Sequence, residues 1–139
     1  MSPRTRVNVK QPVRILIADD HPAIRKAVRY ILREHPRFEV CGEAEDGARA
    51  IEEAQKLKPD VVVLNVTMPV LDGFEAAREI REKLPESAIV ILSSHADQGF
   101  VEQAKRIGAR AYVSKTAVAK ALVKAIEAAI AGGDFVLME

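Results

Sequence analysis

The chain has 139 residues, 48% hydrophobic and 29% charged, which are the proportions of a soluble globule and a length suited to one domain. Its 21 basic and 20 acidic residues leave a net charge of +1, so there is no electrostatic case for nucleic acid, membrane or a strongly acidic substrate. A lone cysteine, Cys41, excludes an internal disulfide and a zinc cluster by itself and fits a reducing, cytoplasmic setting, while apolar runs such as 61–64 are too short to cross a bilayer.

Residues 1–12 carry Arg4, Arg6 and Lys10 with no apolar run behind them, which excludes a signal peptide and predicts a disordered N-terminal arm. Residues 13–18 (VRILIA) are a short β-rich run that stops at Asp19 and Asp20. Pro22 fits a first helical turn, where its missing N–H costs no bond. Ile24, Ala27, Val28, Ile31 and Leu32 then recur on one helical face, and His35 and Pro36 end that helix. Residues 38–44 (FEVCGEA) read as a second strand. Asp46 is placed to cap a helix carrying Ala50, Ile51, Ala54 and Leu57 on one face, closed by Pro59 and Asp60. Residues 61–64 are apolar without alternation, as in a strand covered on both faces, and lead into Asn65.

A third helix is expected over 73–84, with Ala77, Ile80 and Leu84 inward and Pro85 as its stop. Residues 88–92 (AIVIL) form another doubly buried strand running into Ser93, Ser94 and His95. Asp97 opens a fourth helix through Val101, Ala104 and Ile107, which Gly108 stops. A short fifth strand covers 111–114. The last helix, 117–131, carries Val118, Ala121, Leu122, Ala125, Ile126 and Ala129 at helical spacing, and Gly132 and Gly133 terminate it. Five strands alternating with five helices specify an α/β layer fold with a parallel sheet, because each right-handed crossover lays a helix on a face. The domain is expected to span 13–133, with 134–139 as a tail or the start of a linker.

Ligands of open parallel sheets bind beyond the carboxyl ends of the strands. Asp19 and Asp20, Asn65, Ser93 and Lys115 all stand at such ends and converge on one rim. Two carboxylates suit a hard divalent cation such as Mg²⁺, Lys115 suits a phosphate oxygen, and the Ser93 hydroxyl can donate to another. Together they describe a phosphoryl site.

Asp19 and Asp20, the run 61–73 (VVVLNVTMPVLDG), Ser93 and the run 108–115 (GARAYVSK) resemble bacterial response-regulator receiver domains, most closely regulators with a C-terminal helix-turn-helix. The resemblance covers about residues 13–133. It implies a flavodoxin-like (βα)5 doubly wound sheet of order 2-1-3-4-5 and phosphate supplied by a sensor histidine kinase. It further implies Asp19 and Asp20 as the metal-binding acids, the Thr67 backbone carbonyl as a further ligand, Ser93 as the switch hydroxyl, Lys115 as the phosphate-pairing lysine and Tyr112 as the mobile aromatic. Thr116 stands where the family commonly has proline.

Asn65 occupies the phosphoacceptor position and departs from the family's aspartate. A carboxamide is neutral, offers one weaker oxygen and forms no ordinary acyl phosphate. Phosphotransfer should therefore be blocked or altered and Mg²⁺ weakly held. An engineered trap of the unphosphorylated state and a natural, phosphorylation-independent interaction module both account for it.

Taken singly, Asp19 and Asp20 could be helix caps, Lys115 a solvated lysine and Ser93 a turn residue; their agreement with one motif set outweighs that. His21, next to the acidic pair, could touch the cation but is expected as an exposed rim residue, and Cys41 as a small buried hydrophobe. Adjacent Ser94 and His95 point apart and lack a G-x-S-x-G elbow, so they do not make a hydrolase. Ala119, Val123 and Ile130 widen the apolar surface of the last helix, as extra core contact or as a homodimer surface. DNA contact would need a domain absent from this chain. A small aspartate-dependent phosphohydrolase, the rival of another class, would need a nucleophilic carboxylate where Asn65 stands. No enzymatic activity is expected.

Overall fold

The computed structural model describes residues 11–95 and 98–139. Strands and helices alternate as β1 (Val13–Ala18), α1 (Pro22–Arg33), β2 (Phe38–Ala44), α2 (Gly47–Leu57), β3 (Val61–Asn65), α3 (Gly73–Lys83), β4 (Ala88–Ser93), α4 (Gln98–Arg106), β5 (Ala111–Ser114), α5 (Val118–Ala131) and β6 (Val136–Met138). A 3-10 turn, Lys115–Ala117, leads into α5. All pairings are parallel, in the order β2-β1-β3-β4-β5-β6. The chain steps outward from β1 to β2, then returns past β1 to β3. The direction of winding reverses there, which opens a crevice at the carboxyl ends of β1 and β3.

Continuous apolar strands follow from helices on both faces. Along β3, Val62 and Leu64 join one core cluster with α2, α3 and α4, whereas Val61 and Val63 join the other with α1 and α5. The caps read from the sequence include Asp46, whose side chain accepts the Arg49 N–H at 2.8 Å. Asp72, which the sequence reading did not single out as a cap, accepts the Glu75 N–H at 3.0 Å. Gly132, at φ 78°, ends α5 in the left-handed conformation that favours glycine.

Several details differ from the periodicity. Ala27 is exposed, so the buried stripe of α1 rests on Val28 and Leu32. α3 stops at Lys83, with Leu84 half-buried beyond it, and the last α-helix begins at Val118. The expected helix opening at Asp97, and the expected disorder of residues 1–10, lie outside the described residues; Gln11 and Pro12 are exposed.

The largest correction is β6. The segment expected to be a tail adds a sixth strand, with Ala111, Tyr112 and Val113 of β5 opposite Val136, Leu137 and Met138. Three apolar residues carry no periodicity of their own. The pairing comes from the free edge of β5, onto which α5 returns the chain, and from Val136 and Met138 packing against the α1–α5 core cluster.

Candidate functional site

The rim is built from strand ends that leave no slack. Asp19, 1% exposed, follows β1 directly, and its backbone N–H donates to Ala44 O at 3.0 Å. Asn65 closes β3, buried beside Leu92 of β4. Gly73 seats the start of α3 against this strand end: a Cβ there would lie 2.0 Å from Asn65 O. The loop between Asn65 and Gly73 is thereby pinned at both ends, with Gly73 N–H donating to Val66 O. Lys115 enters from the 3-10 turn after β5, which Ser114 caps by accepting the Thr116 N–H at 3.3 Å.

The side chains meet through a chain of contacts. Lys115 Nζ stands 3.1 Å from Asp19 Oδ2, an oxygen that is fully enclosed. Asp19 Oδ1 accepts the His21 backbone N–H at 2.8 Å and lies 3.0 Å from His21 Nδ1. The same imidazole nitrogen is 3.3 Å from Asp20 Oδ1. Asn65 Nδ2 donates to Asp20 Oδ1 at 3.1 Å and to Thr67 O at 2.7 Å. Asp19, Asp20, Asn65, Thr67 and Lys115 are thus brought together.

Ser93 and Tyr112 form a second group, joined through the His95 backbone. The buried Ser93 hydroxyl accepts the His95 N–H at 2.9 Å. The buried Tyr112 hydroxyl donates to His95 O at 2.5 Å. The His95 ring packs 4.8 Å from Phe100, so this knot ties the end of β4 to α4.

Two participants exceed the sequence reading. His21 is exposed, as a rim residue should be, yet touches both carboxylates. Arg25, one turn further along α1, donates from Nη1 to Asp19 O at 2.5 Å and pairs through Nε with Glu43 at 3.0 Å. The i,i+4 spacing of His21 and Arg25 was the available signal. Cys41 is half-buried on β2. Burial pushes its thiol above the ordinary value, with the Arg14 guanidinium opposing, so no activated thiolate sits there.

One ligand atom from each of Asp19, Asp20 and His21 lies within 4.8 Å of the others. Two carboxylates and a nearby carbonyl form the hard oxygen set that Mg²⁺ takes, and they fit that ion. Asn65 turns its nitrogen, not its oxygen, toward Asp20 and Thr67.

Residues 15–127 match the response regulator receiver domain family. The chain is 36% identical over 124 residues to the transcriptional regulatory protein DegU of Brevibacillus brevis, which covers 89% of this chain and 52% of that protein. It is 41% identical over 128 residues to the transcriptional regulatory protein PdtaR of Mycobacterium tuberculosis, covering 92% and 62%. A solved two-component response regulator of the LuxR family from Aurantimonas sp. superposes with a TM-score of 0.85 and 35% identity, over 90% of this chain and 89% of that one. The chain therefore spans between half and two-thirds of the length of these curated relatives.

Proposed function

The chain belongs to the response regulator receiver domain family, and from that premise we propose that it is the receiver of a two-component transcription regulator in which no acyl phosphate forms at residue 65. Its architecture is the flavodoxin-like α/β receiver fold with one strand beyond β5. In this reading a sensor histidine kinase is its signalling partner. Asp19, Asp20 and the Thr67 carbonyl would hold Mg²⁺, whose charge would offset that of a phosphoryl group. Ser93 and Lys115 would face that group, and Tyr112 would report its presence. DNA would be contacted by a separate domain of a longer protein, since the relatives named as transcriptional regulators extend well beyond the matched region.

One observation carries the departure at residue 65. Asn65 Nδ2 donates to both Asp20 Oδ1 and Thr67 O. Those oxygens belong to the set that would ligate a cation, so the amide hydrogens supply part of the positive charge an ion would bring. An ionised carboxylate at 65 would be a nucleophile and a metal ligand; the carboxamide is neither to a comparable degree. The receiver would then act through protein contacts that do not wait for phosphorylation.

Incubation with a small-molecule phosphodonor and Mg²⁺, read by intact mass, tests this. The expected result is no covalent phosphoryl group on the chain as it stands and one on Asn65→Asp. Equal labelling of both would overturn the reading. Sustained hydrolysis of the donor would instead favour a phosphohydrolase.

A further inference from the structure

The end of the sheet opposite Asn65 carries a second charged site that phosphoryl chemistry at the rim does not use. α3 and α4 end where the chain turns back into β4 and β5, so their last turns lie at the strands' amino ends. Between them is a groove of 490 Å³ lined by Arg78, Arg81, Glu82, Gln103, Arg106 and Ile107. Three arginines thus line it with one glutamate. Among the described residues no carboxylate pairs with any of these arginines. The neighbouring acids Glu79 and Glu102 pair with Lys83 at 3.3 Å and Lys105 at 3.7 Å instead.

Arg81 is built into the protein and does not trail over its surface. Its Nη1 donates to Pro85 O at 3.1 Å, while its Nε is fully buried with no hydrogen-bond acceptor among the described residues. Gly108 makes the room: a Cβ there would stand 2.9 Å from Arg81 Nε and 3.1 Å from Nη2. The φ of 89° at Gly108 favours glycine as well. The Pro85 bond and the enclosure of Nε hold this guanidinium in one position.

Helix dipoles explain part of this arrangement. Arg81 and Arg106 lie in the last turns of their helices, where a cation is favourable. The dipole accounts neither for Arg78, which lies before the last turn of α3, nor for the buried Nε of Arg81. The carbonyl ends of both helices oppose an anion, but the partial charge at each is smaller than the full charges of the three arginines that line the groove.

The geometry points to a binding site for a small phosphorylated compound in the groove between α3 and α4, with its phosphate oxygens taken by the guanidiniums of Arg81 and Arg106 and its flank by Arg78 and Gln103. The planar fork of arginine presents paired N–H donors to phosphate, and all three cations lining the groove are arginines. The volume lies in the range of small-molecule sites. This assignment is independent of what happens at Asn65.

Isothermal titration with inorganic pyrophosphate tests it, in the full chain and again in Lys115→Gln, which removes the cation of the rim site. The expected result is saturable binding with Kd below about 1 mM in both proteins, weakening as ionic strength rises to about 0.15 M. Arg81→Gln and Arg106→Gln should each weaken it about tenfold or more, and Arg33→Gln, an exposed arginine on α1, should leave it unchanged. Arg106 is exposed, so its variant separates ligand binding from any packing role of Arg81. Absence of saturable binding would overturn the proposal. So would equal weakening in Arg33→Gln, or binding lost in Lys115→Gln but kept in Arg106→Gln.

Discussion

An aspartate at position 65 would set a third carboxylate beside Asp20 and would give up the two hydrogen bonds that Asn65 Nδ2 donates. Two unit charges about 5 Å apart in an effective dielectric near 20 repel by roughly 3 kcal/mol, an upper bound here because Lys115 shares the field. Asn65→Asp should therefore lose about 2 kcal/mol of stability without a divalent cation, lowering Tm by about 5 °C. Added Mg²⁺ should restore more of that loss in the variant than it raises Tm in the parent chain. Equal melting temperatures with and without Mg²⁺ in both proteins would remove the argument. Most of the rim was legible because acids, amide and amine each follow an apolar run that can only be a strand. The double contact of His21 and the reach of Arg25 to the Asp19 carbonyl were not. They depend on how α1 leans over the end of β1, and no residue spacing specifies that angle.

The segment between β3 and α3 shows what an element can store. Val70 sits at φ 70° and is 80% exposed, so a β-branched residue holds a left-handed conformation with almost no burial to offset it. The loop has little choice, since the buried Asn65 at one end and Gly73 at the other are fixed by close packing. Such a conformation costs about 1–2 kcal/mol, against about 0.4–1 kcal/mol of added chain entropy when glycine replaces a side chain. Val70→Gly should thus stabilise the fold by about 0.5–1 kcal/mol, seen as a Tm raised by a few degrees in a thermal melt. A lower Tm would mean that Val70 makes contacts its exposure does not reveal. The positive φ was invisible in the sequence, where the run 61–73 resembled the family's motif but carried no sign of the hand of its backbone. The helices were easier to read. α1 still shows the limit of periodicity: Ala27 lies on the apolar arc yet faces out, because the sheet covers only the narrower stripe of Val28 and Leu32.

For the whole molecule, the sixth strand covers the flank of β5 and becomes the edge of the sheet in its place. Phe135, Val136 and Met138 are partly buried against the two core clusters, and Lys105 Nζ stands 5.6 Å from the Phe135 ring centre. Deleting residues 134–139 should cost about 2–3 kcal/mol in lost apolar burial and bare the backbone groups of β5. Denaturant unfolding should show the lower midpoint, and light scattering should show self-association through the exposed edge. A truncated chain that stays equally stable would mean that β6 only rests on the sheet. By itself, the amino-acid order determined the alternation of strands and helices, the two-sided burial of β3 and β4, and the polar residues at the ends of β1, β3, β4 and β5. These follow from local periodicity and from the alternation of side chains between faces. Only the tertiary structure decided that 136–138 would pair with β5, that Val70 would turn left-handed, and that the arginines of α3 and α4 would share one groove. Each of those depends on surfaces brought together by segments far apart in the chain, and local residue preferences hold no record of such meetings.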